Sequence, residues 1–422
     1  MNEGYKNSKL GLIPESWDAI PIYELRDKTD RYSFTGGPFG SDLKSEHYTE
    51  FGVQVIQLQN IGEGEFINKS QIYTSEKKAD ELHSCNIYPD DIIMAKMAPV
   101  ARSCKIPSFS SRFVMGSDGI RLAVDRSKYY NEYIFQALNT NYFRKEAESK
   151  STGSTRARIG LNELKLIPIA IPRSISEQQK IAEILSTVDA KIEVIDQQIT
   201  ETQELKKGLM QRLLTKGIGH TEFKDSPLGK IPKSWEVVDF DKVCKNKPTK
   251  YNKPNGRCIE LEHIEQQTSR LLGYANIEDK SSVKNAFNIG DVLFCKLRPY
   301  LRKFWKCEFE GGCTSELMVL SPKGNLTTDY LFYTIQQDSF IENSVSKSYG
   351  TKMPRTSWKI LSEFKMGLPS IEEQNKIGLI FNTITDKLDM LSKKKTHYQE
   401  LKQGLMQQLL TGKVRVKLNA EA

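Results

Sequence analysis

The residues of this 422-residue chain that could do chemistry fall in the wrong patterns for catalysis. It has no G-x-x-x-x-G-K-[ST] phosphate loop, no G-x-G-x-x-G dinucleotide turn, no H-E-x-x-H and no G-x-S-x-G nucleophile elbow, and Gly62-Glu-Gly64 is only half of a phosphate-binding turn. Seven cysteines without a C-x-x-C pair and five histidines offer no metal-ligand spacing. The odd cysteine count fits reduced thiols in a cytoplasmic protein. Acid-x-lysine triplets of the nuclease kind, Glu163-Leu-Lys165 and Glu204-Leu-Lys206, are expected by chance where 27% of residues are charged. The expectation is a chain that is not an enzyme and holds neither metal nor cofactor.

What the sequence does offer is loops that combine glycine, hydroxyls and bases. Thr35-Gly-Gly-Pro-Phe-Gly-Ser-Asp-Leu-Lys44 contributes Phe39, Ser41 and Lys44. Thr152-Gly-Ser-Thr-Arg-Ala-Arg158 contributes Ser154, Thr155, Arg156 and Arg158. Later in the chain, Lys245 and Lys250 lie in a lysine-rich stretch, and Tyr349-Gly-Thr-Lys-Met-Pro-Arg355 supplies Tyr349, Thr351, Lys352 and Arg355. Such loops suit DNA: glycine lets the backbone approach a phosphate, hydroxyls fix register, and arginine, lysine, asparagine or glutamine bond base edges. Further candidates are the strand residues Gln57, Gln59 and Asn60 with Glu262 and His263 among their counterparts Glu260, Glu262 and His263, and the cations Lys96, Arg102, Lys296, Arg298 and Arg302. Ordinary turns and solvated lysines would explain each of these loops singly.

The elements that must position these loops occur twice. Leu10-Gly-Leu-Ile-Pro-Glu-Ser-Trp17 returns as Leu228-Gly-Lys-Ile-Pro-Lys-Ser-Trp235. The alternating stretch Val55-Ile-Gln-Leu-Gln-Asn-Ile61 reads as a strand and returns as Cys258-Ile-Glu-Leu-Glu-His-Ile264. Asp91-Ile-Ile-Met-Ala-Lys96 answers to Asp291-Val-Leu-Phe-Cys-Lys296, an aspartate turn and a buried strand. Helix signals span residues 129–150 and 329–341, and a short apolar strand closes each half, 166–171 and 364–368.

Each half then enters a rod. In residues 174–214 apolar side chains recur at Ile181, Leu185, Val188, Ile192 and Ile195; in 370–410 they recur at Ile377, Phe381, Ile384, Leu388 and Leu391, the 3–4 spacing of a coiled-coil seam. Both stripes read as slipping after Thr202 and Tyr398, jumping to Leu205 and Leu401. Ser174-Ile-Ser-Glu177 and Ser370-Ile-Glu-Glu373 read as reciprocal capping boxes. About 40 residues make a rod of roughly 60 Å, which needs a partner. The two rods together carry a net charge of −1, leaving about +9 of the total +8 on the remaining segments, and that surplus points to an anionic partner. Residues 216–221 read as a linker, and Lys413-Val-Arg-Val-Lys417 as a basic tail or an extra strand. No apolar run approaches a membrane span, and the polar first residues imply no signal peptide.

With the duplicated motifs in hand, Ile13-Pro-Glu-Ser-Trp17, Gly52 before the Val55 stretch, the Asp91 and Asp291 turns, Pro172 leading to Glu177-Gln-Gln-Lys-Ile181, and Leu205-Lys-Lys-Gly-Leu-Met-Gln-Arg-Leu-Leu-Thr215, the chain resembles the specificity subunit of type I restriction-modification systems over nearly its full length. The resemblance implies an α+β fold with an internal pseudo-twofold repeat. Two target-recognition domains, 1–172 and 216–369, would be separated by antiparallel coiled-coil helices, 173–215 and 370–412, with a tail at 413–422. It implies binding to double-stranded DNA, two modification (methyltransferase) subunits docked on the rods, and restriction subunits, with S-adenosylmethionine, ATP and Mg in those partners and none in this chain. The rods would then act as a spacer holding two readers about one DNA turn, ~34 Å, apart. A coiled-coil adaptor without DNA specificity would keep the rods but need no basic surplus.

Overall fold

Pro172 ends one strand and Pro369 follows another, and after each a long helix begins, Ile175–Lys216 and Ile371–Leu409. The computed structural model describes residues 4–153, 156–277, 284–350 and 352–418. Its chain divides into unit 1, Met1–Ile195 with Lys394–Ala422, and unit 2, Asp196–Lys393. This division differs from the boundaries drawn at the helix starts, because each unit takes one half of each long helix. In unit 1, Ile181 and Leu185 share a core with Met406, Leu409 and Leu410; in unit 2, Leu213 and Leu214 share one with Ile377, Phe381 and Ile384. Within either unit the beginning of one helix therefore lies against the end of the other.

In unit 1, Trp17–Pro21 pairs antiparallel with Pro168–Pro172, placing Trp17 opposite Pro172 at the helix entrance. A four-stranded sheet runs Ser103–Lys105, Ile92–Ala95, Gly119–Leu122, Phe34–Gly36, and a mixed sheet carries Val53–Ile56 parallel to Phe113–Met115. Unit 2 repeats the plan: Glu236–Asp239 pairs with Lys365–Leu368, Phe304–Lys306, Val292–Cys295, Leu317–Pro322 and Cys244–Asn246 form the matching sheet, and Arg257–Ile259 runs parallel to Gly311–Cys313. The expected helical stretches are helix pairs, Asn131–Leu138 with Asn141–Ser149 and Thr328–Thr334 with Asp338–Ser346. Trp17 and Trp235 are buried, and both aspartate turns form, Asp91 accepting from the Tyr88 amide and Asp291 from that of Asn288.

Three local expectations are corrected. The strand expected over 55–61 stops at Ile56, and Leu58–Asn60 is a 3-10 turn. Alternation suits either conformation, and a side chain decides: Asn60 Oδ1 accepts from the Gln57 amide while Nδ2 donates to the Ile67 and Ser70 carbonyls. In unit 2, His263 Nδ1 accepts from the Glu260 amide at 2.9 Å and sets the same turn, Leu261–His263.

The heptad slip does not occur either. Leu205 and Leu401 are exposed, 54% and 41%. The buried face keeps its 3–4 phase through Thr202 and Lys206 on the first helix and through Tyr398 and Lys402 on the second. A lysine fills a position where the pattern favours leucine, so the exposed neighbour looked like the seam. Ile181, Leu185, Val188, Ile195, Ile377, Phe381, Ile384 and Leu391 are buried, and Ile192 and Leu388 half-buried.

The capping boxes are half made. Ser174 and Ser370 accept from the amides of Glu177 and Glu373, both at 3.3 Å, but the glutamates are used elsewhere. Glu177 takes a two-point contact from Arg415 at 2.7 and 2.9 Å, and Glu373 accepts from the Ile218 amide and from Trp235 Nε1, with His220 Nε2 at 2.8 Å. A carboxylate near a helix N-terminus suits the helix dipole, and here it also gathers the segment that follows the other helix. Residues 413–417 form no strand; Arg415 is that segment's anchor.

Candidate nucleic-acid interface

In unit 1 the strand Ile92–Ala95 delivers Lys96 to the sheet's end, where its amide donates to the Asp118 carbonyl and its ammonium to the Ser117 carbonyl at 3.0 Å. Burial, and secondarily the Arg158 guanidinium, pull the Lys96 ammonium below its ordinary value. The Arg158 loop is closed by reciprocal backbone bonds with Thr152, both 2.9 Å, and the Arg158 side chain rests on Asp118 at 3.2 Å. Arg156 is exposed. Ser154 and Thr155 lie outside the described residues.

The Thr35–Lys44 loop is pinned from beneath. Gly37 donates to the Gly119 carbonyl at 2.9 Å and passes so close to Gly116 that a side chain's first carbon would sit 1.8 Å from the Gly116 oxygen. Phe39 projects with 84% of its surface exposed, and Ser41 and Lys44 are exposed. Phe39, Gln57 and Gln59 meet around a hollow of about 280 Å³, joined by Ser117 and Asp118. Gln59 Nε2 donates to Gln57 Oε1 at 3.0 Å. Asn60 and Arg102 are not at this surface in a reading capacity: Asn60 is 0% exposed, and Arg102 donates to the Leu58 carbonyl at 2.7 Å, holding the turn.

Unit 2 builds the same frame from different side chains. The Lys296 amide donates to the Glu316 carbonyl, Tyr349 and Arg355 close their loop through reciprocal backbone bonds, and Arg355 Nε donates to Glu316 at 3.2 Å. Arg355 therefore corresponds to Arg158, each closing its loop on the residue six positions before it. Lys303 donates to the Leu261 carbonyl at 2.6 Å, the counterpart of Arg102. Arg298 and Arg302 take left-handed backbone conformations, φ +50° and +51°. Arg302 is drawn inward to the Gln336 carbonyl and Asp338, so it holds structure. Arg298 Nε is buried with no partner among the described residues. Lys245, Lys250, Glu262, Tyr349 and Lys352 are exposed, His263 and Lys296 half-buried. Lys250 lines a second hollow, about 250 Å³, with Tyr251, Lys253 and Glu310. Thr351 lies outside the described residues.

Sequence reasoning missed the carboxylates that orient the loop arginines, Asp118 and Glu316. The signal was the repeat itself: Ser117-Asp118 and Ser315-Glu316 follow equivalent strands. A guanidinium steadied by a carboxylate on one edge keeps donors on its other edge for a base or phosphate. Among the described residues no cluster of His, Cys, Asp and Glu could hold a metal ion, all seven cysteines are buried and free, and no helix is long and apolar enough to cross a membrane.

The type I restriction modification DNA specificity domain matches residues 53–204 and 308–403. The chain is 24% identical, over 98% of its length and 97% of the relative's, to a putative type I restriction enzyme MjaX specificity subunit of Methanocaldococcus jannaschii. It is 25% identical to the EcoDI specificity subunit of Escherichia coli over 69% of this chain and 70% of that one. The crystal structure of the type I restriction-modification S subunit from M. genitalium shares the fold, with a TM-score of 0.56 at 16% identity, covering 93% of this chain and 96% of that one. With more than half of its residues matched in two segments, one in each half of the repeat, the chain belongs to the type I restriction modification DNA specificity family.

Proposed function

We propose that each unit reads one part of a bipartite, asymmetric target on double-stranded DNA, and that the chain supplies recognition while partner subunits supply chemistry. One observation carries this reading: both units build the same frame, a lysine at a strand end and a loop arginine on a carboxylate, and surround it with different side chains. Gln57 and Gln59 stand in unit 1 where unit 2 has Glu260 and Glu262, and the loop that carries Phe39 answers to one that carries Lys250. A shared frame with a varied face suits two modules reading unlike sequences. Phosphate contacts from Lys44, Arg156 and Lys352 would give affinity and salt dependence, and base-edge contacts would give sequence choice, each bidentate pair worth ~1–3 kcal/mol.

In this reading the chain is not itself an enzyme and acts in the cytoplasm. Two methyltransferase subunits using S-adenosylmethionine take the target adenine out of the stack, and restriction subunits use ATP and Mg. The two long helices are the spacer between readers. Mapping modified adenines in cells carrying the whole system tests the reading. Arg158→Ala is expected to relax one half of the recognised sequence and Arg355→Ala the other, while removing about two turns from both helices changes only the unread spacer. Equal loss at both halves from either substitution, or altered bases after the helix deletion, overturns it.

A further inference from the structure

The loop that presents Phe39 is anchored on both sides yet leaves its ring in water. Gly37 donates to the Gly119 carbonyl, Asp42 donates to the Phe39 carbonyl at 2.9 Å, and the contact of Gly37 with Gly116 admits no side chain, so the ring is held out by a fixed turn. At 84% exposure it is more open than any buried role allows. Behind it lies the 280 Å³ hollow, with the bonded pair Gln57 and Gln59 on its wall. The Lys96 ammonium lies beneath the same loop, within 2.6 Å of where a side chain on Gly36 would begin. An apolar ring over an amide-lined hollow, on a loop with a cation at its base, fits a nucleic-acid step: the ring replaces a stacking partner, the ammonium meets phosphate, and the amides meet a base edge. Among the described residues unit 2 shows no such device. Its loop leaving the equivalent edge strand carries Lys247, Lys250 and Lys253, and its aromatic residue, Tyr251, is turned back to donate to the Asn255 carbonyl at 3.0 Å.

We propose that Phe39 is a wedge that enters the base stack of the half-site read by unit 1, that the hollow behind it receives the edge of the displaced base, and that unit 2 reads its half-site without insertion. This rests on the reading of unit 1 as a DNA-reading module. It also predicts that the first half-site favours a pyrimidine–purine step at the wedge, since such steps unstack most easily.

The test uses the full chain assembled with its modification subunits and duplexes in which 2-aminopurine replaces, one at a time, each base except the methylated adenine. The expected result is a fluorescence rise at one step of the unit 1 half-site and none in the other half-site. Phe39→Ala removes that rise and weakens binding roughly tenfold, and an abasic site at the same step restores the variant's binding. Phe39→Leu keeps an apolar wedge and is expected to lose less. No rise with the wild-type complex, or a rise unchanged by Phe39→Ala, overturns the wedge. So does a Phe39→Ala complex that binds DNA normally but assembles poorly with its partner subunits, which would make the ring a protein contact. Failure of the DNA-reading module looks different: the wild-type complex then makes no distinction between target and scrambled duplex at all.

Discussion

Unit 1 neutralises its buried Asp91 with Arg121, whose Nε lies 2.6 Å away on the neighbouring strand, whereas unit 2 answers Asp291 with Lys247 from a loop at 3.0 Å and with the Ser321 hydroxyl. The same substitution of means recurs at the helices. Lys206 and Lys402 occupy matching seam positions, but Lys402 meets the Asp189 carboxylate at 2.6 Å, whereas among the described residues Lys206 donates to the Thr385 hydroxyl at 3.1 Å, with the Tyr333 ring 5.7 Å away. It recurs again at the tryptophans: Trp235 Nε1 donates to Glu373 at 2.9 Å, while Trp17 Nε1 is buried with no partner among the described residues. A repeated backbone thus demands that buried polar groups be answered, but not by which residue, and the two units have reached different degrees of satisfaction.

The contrast can be broken most severely at the aspartates. Arg121→Met leaves a charge buried in unit 1 and is expected to cost about 3–5 kcal/mol. Lys247→Met should cost clearly less, because Lys247 is partly solvated and Ser321 still serves Asp291. Hydrogen exchange resolved by unit reads both, and equal losses would mean that the two pairs are equivalent after all. The tryptophans come next. Phenylalanine removes the same ring volume at each site, so Trp235→Phe should exceed Trp17→Phe by about 1.5–3 kcal/mol, the value of a hydrogen bond to a charged group; denaturant titration followed by exchange in each unit measures the difference.

At the seam lysines the expected effects differ in sign. Burial pulls the Lys206 ammonium below its usual 10.5. Over the interval between its lowered value and 10.5 the unfolded chain holds a proton that the folded chain does not, so unit 2 gains stability as pH rises through that window. Lys206→Leu should stabilise unit 2 by about 1 kcal/mol at neutral pH and abolish that alkaline gain, whereas Lys402→Leu should destabilise unit 1 by up to about 1 kcal/mol, Asp189 being partly exposed. Thermal melts at neutral and alkaline pH check both. The smallest effect is one in which the halves should agree: Gly208 and Gly404 are helix-interior glycines where an added side chain would meet nothing within 4 Å. Each change to alanine is expected to stabilise by up to about 1 kcal/mol, and a difference between the two would locate an unrecognised contact.

How much of this was legible depended on how far apart the deciding residues lie. The helix starts after Pro172 and Pro369 and the buried strands after Asp91 and Asp291 were readable because capping, breaking and alternation act over a few residues. The turn at Leu58–Asn60 was not, since the carbonyls that hold the Asn60 side chain belong to Ile67 and Ser70. Leu205 and Leu401 misled for a related reason: a leucine beside a lysine looks like the seam until burial shows that the lysine has taken the place. At the candidate interface, the loops are legible from their glycines and bases, but Arg102 and Arg302 serve the backbone, and the orienting carboxylates Asp118 and Glu316 lie in turns remote in sequence.

By itself the sequence determined that there are two halves, that each feeds a long helix, and that the basic surplus lies outside those helices, because repeats, periodicity and charge are properties of order along the chain. Only the tertiary structure decided which polar side chains are consumed inside the fold and which remain on its surface. Glu177 and Glu373 look alike in their motifs, yet one receives Arg415 and the other His220 and Trp235. A side chain's free donors and acceptors are what remains after its neighbours in space have been satisfied, and those neighbours are set by packing between segments that the chain keeps far apart.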